Sequence, residues 1–110
     1  MASKEEISMI GFEIVAYAGD AKSALIKALD QARQGNFEEA RQLVEDAQKS
    51  VNDAHQSQTR LLSEEAGGQD MSVTFIMVHA QDSLMTTMML MEETKFFIDI
   101  YERVYRLEKK

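Results

Sequence analysis

The run "VTFIMVHAQDSLMTTMMLM", residues 73–91, is apolar apart from a few groups that could do chemistry, chief among them His79, Gln81, Asp82, Ser83 and Thr86. Asp82 stands three residues after His79, Ser83 four and Thr86 seven, so on a helix all lie within about two turns on neighbouring stripes. Imidazole is an acceptable nucleophile toward phosphorus. It accepts and releases a phosphoryl group without an activating triad, and nearby hydroxyls can donate to the transferred oxygens. The plainer reading of a lone histidine on an apolar helix is a core residue satisfied by one hydrogen bond. Asp82 argues against it, because a histidine and a carboxylate are costly on a charge-poor helix unless they are paired or used.

Three helices must position this group. In the first, Ile7, Ile10, Ile14, Ala18, Ala21, Leu25, Ala28 and Ala32 recur at spacings of three and four and form one apolar stripe. Gly11 and Gly19 interrupt this segment; each costs about 1 kcal/mol against alanine, which close helix packing or a bend would explain. In the second, Phe37, Ala40, Val44, Ala47, Val51, Ala54, Gln58 and Leu61 make a heptad pattern. "QGNF" at 34–37 joins the two, with Gly35 suited to a left-handed helix end and Asn36 to the next cap. "AGGQD" at 66–70 is a second turn, and the third helix is expected to start near an Asp70 cap and run almost to the C-terminus. That start would leave His79 more than two turns from the helix N-terminus, too far for the dipole to be a phosphate's main support.

On a helical wheel the front of the third helix is apolar on three sides. Phe75, Val78, Met85 and Met89 form one stripe, Ile76, Leu90, Phe97 and Ile100 a second, and Val73, Met77, Leu84, Met88 and Met91 a third. Two other helices cover about two of these faces, and the last requires a membrane or another subunit. A membrane span fits poorly, because polar residues including Asp82 would sit at its centre. An oligomer that is not membrane-embedded is expected.

The remaining composition narrows the class. One domain spans residues 1–110, with no cysteine and hence neither a disulfide framework nor a thiolate site. A cytoplasmic setting is the default expectation, with no signal peptide visible in "MASKEEISMIGF". The formal charge of −7, from 12 basic and 19 acidic residues, argues against nucleic acid as a partner. His55 reads as a packing or surface histidine, and the eight methionines as adaptable core filling.

"VHAQDSLMT" resembles the "VHAQDHLMT" segment of the lactose/cellobiose-type enzyme IIA components of the bacterial phosphoenolpyruvate-dependent sugar phosphotransferase system. "ARQGNFEEA", "NDAHQSQTRLL" and "EEAGG" extend the resemblance over essentially the whole chain. It implies an all-α fold, an antiparallel three-helix subunit assembling into a homotrimer. It also implies that the histidine at position 79 accepts a phosphoryl group from HPr and passes it to a IIB cysteine during uptake of a disaccharide of the lactose/cellobiose/chitobiose class. Ser83 and Thr86, on the stripe of His79, are candidates for the phosphate pocket. Gln81 is a third candidate that projects elsewhere, toward an intersubunit contact or simple packing. Ser83 stands where the family usually has a second histidine, which leaves the acceptor unambiguous, and its hydroxyl can still donate one hydrogen bond. The aspartate at 82 corresponds to one associated with a structural divalent metal on the trimer axis, Mg²⁺ by the hardness of its oxygen ligands. Orientation of His79 is the competing role for Asp82, and a noncatalytic helical adaptor the competing function.

Overall fold

The computed structural model describes residues 3–110. They form three helices, α1 (Lys4–Arg33), α2 (Phe37–Ala66) and α3 (Phe75–Glu108), laid side by side in a rod of 62 × 20 × 18 Å. Short turns reverse the chain twice, so α1 and α3 run in the same direction and α2 against them. Among the described residues no helix is long and apolar enough to cross a membrane.

A capping box starts α1: Ser3 Oγ accepts from the Glu6 amide at 3.1 Å, and the Glu6 carboxylate accepts from the Ser3 amide at 3.5 Å. The expected α1 stripe is buried, except that Ile10 is half-buried and Gly11 takes its place on the inner face. A Cβ on Gly11 would lie 3.4 Å from the backbone of Ile76 and Met77, so α1 and α3 approach closely there. Gly19 behaves differently, being exposed with nothing within 4 Å of a Cβ. Close packing within the chain therefore explains Gly11 alone.

The first turn is built as expected at Gly35, whose φ is +90°. Its amide donates to Ala32 O and that of Asn36 to Gln31 O, at 3.0 and 2.9 Å, a Schellman closure. Asn36 occupies the cap position of α2 but does not cap it; its side-chain amide donates back to Gln31 Oε1 at 2.9 Å. Ala40, Val44, Ala47, Val51 and Ala54 are buried, with Phe37, Gln58 and Leu61 half-buried beside them, as the heptads require. Gly68 (φ +99°) closes α2 in the same manner.

The start of α3 departs from expectation by four residues. Asp70 lies outside the helix, and Thr74 is the cap, its hydroxyl accepting from the Met77 amide at 3.2 Å. The physical reason is burial of the cap: Thr74 is buried and Asp70 exposed, and Met71 helps line an apolar cavity of about 230 Å³ with Ile7, Leu61 and Leu62 at the end of the bundle.

Within α3, Ala80, Leu84, Thr87, Met91, Thr94 and Ile98 face the core. Thus the third sequence stripe is the inner one, apart from Val73, which precedes the helix and is exposed. The second stripe runs along a flank, with Ile76 and Leu90 half-buried and Phe97 and Ile100 exposed. The first stripe faces outward: Phe75 is 91%, Val78 54%, Met85 53% and Met89 62% exposed. α1 carries a similar outward series in Met9 (64%), Phe12 (58%) and Ile26 (52%). The outward face of α2 is polar through Gln42, Glu45, Lys49, Asn52, Gln56 and Thr59.

At the far end, Arg41 of α2 pairs with Glu102 at 3.0 Å and Asp99 at 3.3 Å of α3. The Tyr105 ring meets Phe37 edge-on at a centroid distance of 5.5 Å and covers Gly35.

Candidate functional site

His79 is anchored by its neighbours rather than by its own contacts. Ala80 and Leu84 are fully buried and hold this part of α3 against the bundle, which turns His79 outward into the open. The reading as a satisfied core histidine is thereby excluded. Among the described residues the hydrogen bonds in this stretch belong to Gln81 and Thr86, and the imidazole makes none.

Asp82 and Ser83 follow within one turn. Helical side chains lean toward the N-terminus, so both lean toward His79. Asp82 is exposed on the outward apolar stripe and Ser83 is half-buried. Thr86 is exposed, and its hydroxyl donates to the carbonyls of Asp82 at 2.8 Å and Ser83 at 3.2 Å. It lies about 10 Å along the axis from His79, beyond direct reach within one chain.

Gln81 lies about 200° around the helix from His79. Its Oε1 accepts from Gln58 of α2 and its amide donates to Met77 Sδ at 3.5 Å, so it ties α3 to α2. Sequence patterning placed Gln58 among the heptad positions of α2 without giving it a partner; a polar residue at an inner position was the available sign that α3 must answer it. His55 is exposed on α2.

The later start of α3 changes the electrostatics. His79 is the fifth residue after the Thr74 cap, little more than one turn in, and its side chain leans back toward the unpaired amides of the first turn. The positive end of the helix is thus nearer than an Asp70 cap would leave it, although its effect fades over that distance.

Among the described residues of one chain, no group of three or more His, Cys, Asp or Glu side chains could hold a metal ion. Asp82 offers one hard carboxylate, so a cation there would need carboxylates from further copies. One subunit therefore presents an accessible nucleophilic nitrogen, a carboxylate and a hydroxyl on a rigid helix, bordered by exposed apolar side chains.

The family model for "PTS system, Lactose/Cellobiose specific IIA subunit" matches residues 9–102. The lactose-specific EIIA component of the PTS system of Lacticaseibacillus casei is 59% identical over 110 residues, covering 100% of this chain and 98% of that one. The crystal structure of PtcA from S. mutans superposes with a TM-score of 0.90 at 40% identity, covering 92% of this chain and 99% of that one. The IIA(Chitobiose) component of Escherichia coli, solved in solution as a complex with HPr, superposes with a TM-score of 0.79 at 33% identity, covering 91% and 97%. The chain belongs to the lactose/cellobiose-specific IIA subunit family, components of the phosphotransferase system that transfers phosphoryl groups.

Proposed function

We propose that this IIA component carries the phosphoryl group on His79, receiving it from HPr and delivering it to a cysteine of a IIB component, in the cytoplasm, for uptake of a disaccharide of the lactose/cellobiose/chitobiose class. The observation that carries the assignment is the free, outward imidazole of His79, with a carboxylate and a hydroxyl inside one turn. The similar IIA(Chitobiose) fold solved with HPr supports the donor.

In the first transfer an imidazole nitrogen of His79 attacks the phosphorus held by HPr. The new N–P bond forms as the bond to the donor breaks, and the donor keeps that electron pair. In the second, the IIB thiolate attacks the same phosphorus and the pair of the N–P bond returns to His79. Little covalent chemistry falls to the rest of the chain, whose task is positioning and charge stabilisation. Ser83 can donate to a phosphoryl oxygen, and the buried backing of α3 holds the ring in place.

The working form is a homotrimer, because the outward stripe of α3 exposes Phe75, Val78, Met85 and Met89 together, more apolar surface than a helix face leaves in water. Asp82 interrupts that stripe. With α3 on a threefold axis, three such carboxylates repel one another, and a hard divalent cation such as Mg²⁺ would neutralise them and hold the chains together. Thr86 reaches a phosphate pocket only through such an assembly, whereas Gln81, held by Gln58 on another side of α3, serves packing.

The assignment is tested by intact-mass measurement after incubation with phosphoenolpyruvate, enzyme I and HPr. One acid-labile phosphoryl group per chain is expected, retained in His55→Gln and lost in His79→Gln. A His79→Gln protein that takes up phosphate at the normal rate would overturn it, and a wild-type chain that takes up none would favour the adaptor reading.

A further inference from the structure

The imidazole of His79 makes no hydrogen bond among the described residues, so its place is inherited entirely from the backbone of α3. That backbone meets α1 at Gly11, which is buried between Ile7 and Ile14 on the inner face. A Cβ on Gly11 would stand 3.4 Å from Ile76 C, Met77 N and Met77 Cα. These are main-chain atoms, and no change of rotamer moves them aside. Met77 precedes His79 by two residues, about 3 Å along the axis, so the contact lies beneath the turn that carries the imidazole.

The surroundings decide which helix would give way to a side chain at this point. The Met77 amide that lies against Gly11 also donates to the Thr74 hydroxyl at 3.2 Å, and Thr74 is buried. Ile7 and Ile14 are 2% and 0% exposed, so α1 has no room to retreat. The outer side of α3 stands open in the subunit, with Phe75 and Val78 exposed. Carbons added where packing is already at contact distance are relieved by backbone shifts. Anything larger than a methyl group at position 11 therefore drives the front of α3 outward, and His79 travels with it.

We propose that Gly11 is a positioning residue for phosphoryl transfer: the absence of a side chain there sets the height of the first turns of α3 and, through them, the place of the His79 imidazole. The proposal rests on His79 as the phosphoryl acceptor and gives it a support in α1 that touches neither phosphate nor donor. In-line attack needs the nitrogen within a narrow range of distance and direction from phosphorus, and a misplacement of about 1 Å caused by a remote change can cost about a hundredfold in rate. An alanine methyl at position 11 would sit at ordinary contact distance and preserve the height of α3. Valine does not, because its two γ-carbons extend past a position already in contact.

Single-turnover transfer from phosphorylated HPr, followed over a series of HPr concentrations, tests this, with far-UV circular dichroism and sedimentation as the checks on folding and assembly. Gly11→Ala is expected to keep the wild-type limiting rate, and Gly11→Val to lose at least tenfold at saturating HPr. Gly11→Ser, which extends by a single atom, takes its place if Gly11→Val does not fold, with a loss of at least threefold. Ile98→Ala, a core truncation at the far end of α3, destabilises the bundle without moving this turn and is expected to keep the limiting rate. Carbethoxylation of His79 by diethyl pyrocarbonate, located by peptide mass, is expected at the wild-type rate in Gly11→Val, since the ring stays exposed and only its place relative to the donor changes. A wild-type limiting rate in Gly11→Val would overturn the proposal, as would an equal loss in Gly11→Ala or Ile98→Ala, or a parallel fall in carbethoxylation. A loss that saturating HPr abolishes would place the defect in docking and overturn it too. A His79→Gln protein that takes up phosphate normally would instead overturn the acceptor on which the proposal rests.

Discussion

One turn of helix separates His79 from Ser83, and Asp82 lies beside both on the outward side of α3. A phosphorylated His79 would add about two negative charges next to this carboxylate. The pair is therefore poised toward release of the phosphoryl group unless a cation or donor offsets it, which suits a carrier that must both load and unload. Asp82→Leu separates the roles of the carboxylate. If Asp82 is the axial ligand, the variant loses bound divalent metal and remains a trimer, because an apolar replacement for converging carboxylates is often neutral or stabilising. If it orients His79, transfer slows sharply in the same variant while metal content is unaffected. Metal content after dialysis, sedimentation and transfer rate are the three measurements. A trimer lost and restored by neither salt nor metal would mean that the carboxylate makes a specific contact across chains.

At the scale of elements, the chain is shaped by how its helices end. Gly35 and Gly68 hold positive φ and close α1 and α2 by the same pair of backbone hydrogen bonds. Gly35 carries a second constraint, since a Cβ there would lie 3.0 Å from the Tyr105 ring. Gly35→Ala is expected to cost at least about 1–2 kcal/mol for the left-handed backbone, with a further loss from displacing Tyr105. Urea unfolding measures the sum, and Gly35→Ala combined with Tyr105→Ala isolates the backbone part. A Gly35→Ala protein as stable as the wild type would mean that the turn can close with another backbone shape. These turns were legible because glycine at a helix end has a backbone reason. The start of α3 was less so. Asp70 and Thr74 are both good caps, and the choice between them followed from tertiary placement, since Thr74 is buried and Asp70 is exposed.

Across the whole molecule, one polar cluster joins the beginning of α2 to the end of α3. Arg41 lowers the pKa of Glu102 from its ordinary value, first through their hydrogen bond and then through charge, with Arg106 adding to the effect. A depressed carboxylate contributes stability that is present above its unfolded pKa and is lost as pH falls through the folded value. The urea midpoint should therefore decline as pH falls through and below the ordinary glutamate range, less steeply at high salt because the pair is near the surface. Arg41→Met should flatten part of that decline. An unchanged pH profile in Arg41→Met would show that other carboxylates govern acid stability. Apolar side chains stay exposed along the outward faces of α1 and α3, and His79 is exposed beside those of α3.

The amino-acid order alone determined three helices, two turns and the inner faces of α1 and α2, and it singled out His79 as the candidate to test. Each follows from local physics: the helical period sorts side chains into faces, glycine permits positive φ, and a charged pair on an apolar helix demands an explanation. Tertiary structure decided which of three apolar faces of α3 turns inward, because the period distinguishes faces without ranking them when all are apolar. It brought Gln81 to Gln58 and tied Thr86 to its own backbone, since hydrogen bonding depends on which side chains the packing brings within reach. It separated Gly11 from Gly19, two glycines on one helix, because the close approach of α3 is a property of the pair of helices. The outward stripe of α1 was present in the spacing of Met9, Phe12, Ala16, Gly19, Ser23 and Ile26, but it became meaningful only when burial of the opposite face left it in water.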